Sequence, residues 1–256
     1  MKKKTNLVQS VDRALSILEI LENSSELLGV TEISNRLSLH KSTLFGLLTT
    51  LENKGFVFQD SQTGKYGLGL RVLELGQKVI ARMDLRNQAR PFLKKIMETY
   101  GETVHLVIRD NEEVVYIDKV EGPQTIGPIS QIGKRNPVHC TGVGKCLLAF
   151  LTDEEQDILL SKIQLKCYTQ NTITNHEVLK EHFALIRRQG YSIDNEEIEI
   201  GLRCVAAPIF DYNGTIIGAI SIAGPSARLT DQRIQELIKP VKECALAISQ
   251  NLGYKG

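Results

Sequence analysis

VTEISNRLSLHKSTLFGLLTTL, residues 30–51, is the stretch on which the N-terminal fold turns. Val30, Ile33 and Leu37 fall on one helical face; after a turn at Ser38–Leu39, Leu44, Leu47, Leu48 and Leu51 fall on another. Two short helices whose apolar stripes meet across a tight turn make a helix-turn-helix. The second stripe is narrow. Lys41, Ser42, Thr43, Phe45, Gly46, Thr49 and Thr50 are therefore left facing outward, a hydroxyl-rich and weakly charged surface suited to a DNA groove.

Upstream, Val11, Ala14, Leu15, Leu18 and Leu21 repeat at helical spacing and predict a first helix packing that face on the pair. Downstream, Phe56–Phe58, the turn Asp60–Gly64 and Lys65–Leu68 predict a β-hairpin, with Gly64 supplying a positive φ. Three helices and a hairpin make a winged helix-turn-helix over residues 1–69. Leu70, Leu73, Gln77 and Ile80, with Leu75 and Val79 beside them, predict a helix over 70–83 whose apolar face is broad for a linker. A second copy of the chain is the economical cover, which makes this a linker and dimerisation helix.

Residues 84–256 change character. Asp84 opens a helix carrying Leu85, Ala89, Phe92, Leu93, Ile96 and Tyr100. Thr103–Arg109 with Glu113–Lys119, and Val205–Phe210 with Ile216–Ala223, predict two hairpins. Helices are predicted at Gly144–Leu151, Asp153–Ser161, His176–Gln189 and Asp231–Leu252, the last two capped by Asn175 and Thr230. Antiparallel hairpins interleaved with helices give an α+β domain of sensor type.

The 256 residues are 42% hydrophobic and 24% charged, enough for two cores. The net charge of +1 excludes a uniformly basic protein, and residues 1–69 carry eight Lys/Arg against seven Asp/Glu. Placement counts for more: Lys2, Lys3, Lys4, Lys41, Lys54 and Lys65 fall in the tail, the second helix of the pair and the hairpin beyond it. Five cysteines without C-x-x-C spacing predict free thiols and a reducing cytoplasm. No apolar run approaches a membrane span, and the basic Met1–Lys4 start lacks the apolar stretch of a signal peptide, so no membrane partner is expected.

The chain resembles the IclR family of bacterial transcription regulators over nearly its whole length. The resemblance rests on Lys41-Ser42-Thr43, on Leu51-Glu52-Asn53-Lys54-Gly55-Phe56-Val57, and on Gly67-Leu68-Gly69-Leu70. It continues through Gly101-Glu102-Thr103-Val104-His105-Leu106 and His139-Cys140-Thr141-Gly142-Val143-Gly144-Lys145 to Gly201-Leu202-Arg203-Cys204-Val205-Ala206-Ala207-Pro208 and Ser221-Ile222-Ala223-Gly224-Pro225. It implies a GAF-like, effector-binding C-terminal domain and dimers, or dimers of dimers, on palindromic operator DNA. This chain departs from the family where Phe45-Gly46 replaces an aromatic or His followed by Arg, where His40 replaces Pro, and where Ala223 replaces a Ser that bonds effector.

Candidate DNA-contacting residues are Lys41, Ser42, Thr43, Phe45, Thr49 and Lys65, with the Lys2–Lys4 tail behind them. Ser42 or Thr43 has helix capping as a second role, and Phe45 has either a thymine methyl or the protein core as its neighbour. Thr141–Lys145 is not a nucleotide loop, since a Walker sequence needs Gly at His139 and Ser or Thr at Cys146. It remains a glycine turn at a helix N-terminus, whose free N–H groups favour a carboxylate. By resemblance, Gly142 and Val143 are backbone ligands of the effector, and Asp194, Cys204 and Ser221 complete the site. Their chemistry suits a hydroxylated acid; sugar-acid breakdown products such as 2-keto-3-deoxygluconate lead, ahead of aromatic and glyoxylate-type acids. Asp194 beside a carboxylate must be protonated or face a hydroxyl. Arg203 is expected to pair with Glu196 or Glu197.

His105, His139, Cys140, Cys146, Cys167, His176, His182 and Cys204 lack zinc-site spacing, and no metal, cofactor or catalytic Cys-His pair is expected. The reading is an effector-controlled regulator, in the first place a repressor of a catabolic operon. The rivals are an enzyme acting on a small acid with an N-terminal targeting or dimerisation domain, and an architectural DNA-binding protein without a working sensor.

Overall fold

Ile17, Ile33, Leu44 and Leu48 are wholly removed from solvent and centre the N-terminal core in the computed structural model, which describes residues 7–81, 84–124 and 130–256. The chain divides into two compact units, residues 1–82 and 83–256. The first holds α1 (Gln9–Glu22), α2 (Val30–Leu37), α3 (Lys41–Asn53), the antiparallel pair β1 (Val57–Gln59) and β2 (Tyr66–Leu68), and α4 (Leu70–Ala81). Ser38 makes the turn between α2 and α3 at φ 53°, and Ser34 Oγ closes it by donating to the Leu39 carbonyl at 2.6 Å. Gly64, at φ 68°, turns the hairpin. Leu28 makes an isolated antiparallel bridge to Tyr66 beside the two-stranded wing.

The first helix is rotated from its expected orientation. Ile17 and Leu21 are its buried residues, with Ala14, Leu18 and Ile20 packed beside them, while Val11 and Leu15 are 55% and 54% exposed. Two overlapping apolar stripes satisfy the helical period here, and Ile17 centres the one that meets Ile33 and Leu44 in the core. On α4, Leu70 and Leu73 are exposed on one side and Leu75 on nearly the opposite side. The Lys2–Lys4 tail, Met83 and the side chains of Val79 and Ile80 lie outside the described residues.

The second unit is built on a six-stranded sheet, ordered β5-β4-β3-β8-β7-β6 and antiparallel between all neighbours. Its strands are β3 (Thr103–Asp110), β4 (Glu113–Val120), β5 (Arg135–Pro137), β6 (Ser192–Asn195), β7 (Leu202–Phe210) and β8 (Ile216–Pro225). On one face α5 (Asp84–Tyr100) and α9 (Asp231–Asn251) bury Ala89, Leu93, Leu237 and Val241 against Val104, Leu106 and Ile220. On the other, α6 (Gly142–Ala149), α7 (Asp153–Leu160) and α8 (His176–Gln189) bury Val143, Leu147, Leu160 and Phe183 against Val107, Ala206 and Ala219. Asn175 and Thr230 cap α8 and α9 as expected. The two strands not foreseen, β5 and β6, are the sheet's edges. Both are short and polar, and β5 ends on a proline, which an edge tolerates.

The β3–β4 hairpin carries a bulge. Leu106 pairs with Asp118 and Val107 with Tyr116, so Ile117 is an extra residue on β4. Its carbonyl accepts from Arg86 Nε of α5 at 3.1 Å, and the fully buried Asp118 carboxylate accepts from Arg86 and Arg90. Among the described residues no helix is long and apolar enough to cross a membrane.

Candidate functional site

The outward face of α3 carries the first site. Its apolar stripe is taken up by Leu44, Leu48 and Leu51, which leaves Lys41, Ser42, Thr43, Phe45 and Thr49 exposed. The N-cap is His40, without a side-chain hydrogen bond, so Ser42 and Thr43 lie inside the first turn and do not cap the helix. Their N–H groups point out of an uncapped, positive helix end, the arrangement that takes a phosphate. Phe45 is 49% exposed, which answers its two readings in favour of the surface. Lys65 is half-buried at the foot of β2, next to a turn held by Asp60, whose carboxylate accepts from the Thr63 N–H and hydroxyl at 2.7 Å.

The second site lies in the C-terminal unit, where a cavity of about 440 Å³ opens between the sheet and the N-terminus of α6. Strand alternation decides its walls: His105, Tyr116, Cys204, Ser221 and Ala223 share the sheet face that carries Val107, Ala206 and Ala219. All five expected ligand residues, Gly142, Val143, Asp194, Cys204 and Ser221, line this one cavity. Thr141 caps α6 by accepting from the Gly144 N–H, leaving the N–H groups of Gly142 and Val143 without a partner inside the helix; that of Gly142 is directed at the Cys204 thiol. A Cβ at Gly142 would lie 2.6 Å from Cys204 Sγ and 3.2 Å from the Asp194 nitrogen, so any side chain there would displace the thiol that lines the cavity.

Asp194 is buried and accepts from the Glu197 N–H at 2.8 Å. Burial pushes its carboxyl up to about 7, against the pull of that hydrogen bond and of Lys145. The position is therefore poised between acid and carboxylate near neutral pH, and the acid form can lie beside an anion. Burial raises the Cys204 thiol as well, so it acts as a neutral wall. Behind the cavity, Lys145 is 1% exposed, ion-paired with Glu197 and bonded to the Ile193 carbonyl at 2.8 Å. That pair pins the first turn of α6 to β6 and the loop after it.

Arg203 does not meet Glu196 or Glu197. It reaches the Leu229 carbonyl and Asp231, each at 2.7 Å, because Glu197 is taken by Lys145 and Glu196 accepts from the Gly201 N–H. The residues that sequence reasoning missed are Tyr116, Ser130, Asn136 and His105 as wall residues. Strand parity from Val107 was the available signal for His105. A second groove of about 520 Å³, lined by Phe150, Phe210, Leu246 and Tyr254, has Arg187 and Lys242 engaged by the carbonyls of Ala149, Leu151 and Gln189, and Lys239 3.8 Å from Glu243. It lacks the converging polar groups of the α6 cavity. Among the described residues no three His, Cys, Asp or Glu side chains are grouped to hold a metal ion.

A winged helix-turn-helix joined to a domain with a polar, ligand-sized cavity defines a ligand-responsive transcription regulator. The comparisons agree. The family model described as the IclR helix-turn-helix domain matches residues 10–61, and that described as bacterial transcriptional regulator IclR C-terminal matches residues 77–250. The HTH-type transcriptional regulator XynR of Escherichia coli (strain K12) is 38% identical, covering 97% of this chain and 98% of its own. The HTH-type transcriptional repressor AllR of Salmonella typhimurium is also 38% identical, over 96% of this chain and 91% of its own. The crystal structure of the Thermotoga maritima IclR is 39% identical, covers 97% of this chain and 100% of its own, and superimposes with a TM-score of 0.82. The chain belongs to the IclR family of bacterial transcriptional regulators; it is a regulator and not an enzyme.

Proposed function

We propose that this regulator is a repressor released from its operator when a small hydroxylated carboxylate occupies the α6 cavity. The observation that carries the reading is the convergence of the Gly142 and Val143 N–H groups with Asp194, Cys204 and Ser221 around one space of about 440 Å³. The N–H groups and the helix dipole take the carboxylate, and Ser221 and Asp194 take the oxygens beyond it. Repression is supported by the likeness to AllR, a repressor by name.

On DNA, the protein acts as a dimer. The exposed Leu70 and Leu73 of α4 supply an apolar face for a second copy, and paired α3 helices then enter successive major grooves about 34 Å apart. Lys41, Ser42, Thr43 and Lys65 hold phosphates, while Phe45 and Thr49 meet base edges. The effector must bind the DNA-competent and DNA-released arrangements with different affinity.

The test is calorimetric titration of the full chain with sugar acids including 2-keto-3-deoxygluconate, aromatic acids and glyoxylate. Fluorescence anisotropy on DNA from upstream of its own gene is run alongside. An acid that binds, weakens on Ser221→Ala, and lowers DNA affinity supports the reading. Saturable acid binding that leaves DNA affinity unchanged defeats it.

A further inference from the structure

The β3–β8 wall of the cavity contains a polar chain that the effector residues do not account for. His105 stands directly opposite Ser221 in the strand register. Its Nε2 lies 2.7 Å from Ser130 Oγ and its Nδ1 lies 3.5 Å from Ser221 Oγ. All three are buried, His105 at 2% exposure. Tyr116 sets its ring edge against the imidazole, 5.1 Å between centroids at 84°, which fixes the ring plane. Such a chain is costly to bury unless every member is bonded, so its placement at a cavity wall calls for a role.

An imidazole between two hydroxyls has one N–H to give when neutral, and its tautomer decides which way both hydroxyls point. Burial, and then the charge of Lys119, hold His105 down to about 3, so it is neutral at physiological pH. The Lys119 ammonium lies 2.8 Å from the carbonyl of Ser130, the residue bonded to Nε2; it is paired as well with the exposed Glu121 at 2.8 Å, yet its charge still pulls the imidazole down. Positive charge at that end disfavours a proton on Nε2 and places it on Nδ1. The Ser130 hydroxyl then donates to Nε2, Nδ1–H donates to Ser221 Oγ, and the Ser221 proton is left for the cavity.

We infer that His105 is a positioning residue for effector recognition: relayed from Ser130, it makes Ser221 a hydrogen-bond donor and selects a ligand oxygen that only accepts, a 2-oxo acid over the matching 2-hydroxy acid. A hydroxyl at the same place can accept that bond too, but it brings a proton of its own to an oxygen whose acceptor capacity is already shared with Nδ1–H, so it is the poorer match. Asp194, across the cavity, serves hydroxyls elsewhere on the ligand. The inference rests on the cavity being the effector site.

Two measurements test it, and they fail separately. Long-range ¹⁵N NMR of the full chain with labelled histidine, assigned through His105→Asn, reads the tautomer without ligand. A neutral Nδ1–H ring from about pH 5 to about pH 8 is expected; an Nε2–H ring or an imidazolium overturns the proposal. Calorimetry then compares 2-keto-3-deoxygluconate with its borohydride-reduced 2-hydroxy counterpart, and pyruvate with lactate. The wild type should prefer the oxo acid about tenfold, the worth of one well-placed hydrogen bond. His105→Leu should abolish the preference, Ser221→Ala should abolish it equally and not additively, and His105→Asn, whose amide can donate as Nδ1–H does, should restore part of it. A preference that persists in a normally folded His105→Leu variant overturns the proposal. If the wild type binds neither acid of either pair, nor glyoxylate or the aromatic acids, the reading of the cavity as an acid site falls, and this inference with it; if it binds only acids outside the two pairs, the acid site stands and this inference falls.

Discussion

Replacing Lys145 by Met would leave the Glu197 carboxylate buried without its counter-ion. The two side chains are 1% and 6% exposed, and Glu197 Oε2 already has no hydrogen-bond partner, so Lys145 carries nearly all the compensation at that site. The Ile193 carbonyl loses a donor at 2.8 Å as well. Methionine is close to lysine in length and leaves no cavity, so the cost is electrostatic. Breaking one side of a buried pair costs about 3–5 kcal/mol. In a unit of this size each kcal/mol moves the midpoint by about 2–4 °C, so the transition of the C-terminal unit should fall by roughly 6–20 °C. The double variant Lys145→Met, Glu197→Leu removes both charges and should recover to within about 2 kcal/mol of the wild type, because the desolvation cost goes with the pair. Differential scanning calorimetry of the full chain resolves the two units and measures both numbers. A Lys145→Met chain within about 1 kcal/mol of wild type, or a double variant as unstable as the single, would refute the assignment of this pair as a buried electrostatic clamp. The double variant is informative on function too: with α6 no longer pinned to β6, its Gly142 and Val143 N–H groups lose their fixed aim, and acid affinity should drop while the fold survives.

Asp194 has a folded pKa of about 7, raised from 3.8 chiefly by burial, so its contribution to stability is full below about pH 4 and is lost as pH rises through about 7. Asp194→Asn should remove that decline, read as midpoint against pH, and should abolish the proton uptake that accompanies carboxylate binding near pH 8, counted by calorimetry in buffers of different ionisation enthalpy. Gly144→Ala places a Cβ 2.2 Å from the Val138 carbonyl oxygen, a backbone atom that cannot swing away, and should cost about 1–3 kcal/mol or more in chemical denaturation. Lys41→Ala and Lys65→Ala should each lower the salt dependence of DNA binding by about one phosphate contact without changing sequence preference; a changed preference with an unchanged salt slope would mean base contact instead. Asp118→Asn strips the charge that Arg86 and Arg90 share and should cost about 2 kcal/mol, seen as earlier unfolding of the C-terminal unit.

The parts of this protein that local pattern decides were legible in its residues. The α2–α3 pair is two short stripes and one left-handed turn, all within 22 residues, and the hairpins announce themselves by alternation and by Asn or Gly at their turns. α1 was rotated because Val11 and Leu15 continue the helical period as well as Ile17 does, and only the neighbouring helices choose between them. The edge strands β5 and β6 carry little apolar signal, since half their environment is solvent. The cavity was legible in one respect, the glycine turn that leaves two N–H groups at the head of α6. Asp194, Cys204 and Ser221 were reached by family resemblance, and the fold brings them together from three strands, β6, β7 and β8, around one cavity. His105 and the Lys145–Glu197 pair were not reached, because their meaning lies in partners far along the chain. Ser221 is 116 residues from His105, and Glu197 is 52 from Lys145. A lysine is read as solvated until its counter-ion is found, and Arg203 was given the wrong carboxylate for the same reason.

The linker helix has a consequence of its own. α4 is 12 residues long, and helices shorter than about 12–15 residues are marginal in water unless something packs on them. Leu70 and Leu73, its largest apolar side chains toward the N-terminal end, are 78% and 58% exposed within the single chain. In the proposed dimer, a second copy packed on this face would make the rigidity of the helix a concentration-dependent quantity, acquired with a neighbour and forfeited on dilution. On that proposal the stiffness of the tether and the pairing of the reading heads become one equilibrium, and the cell's copy number of the protein, as much as its metabolite pool, would set how firmly the genome is read.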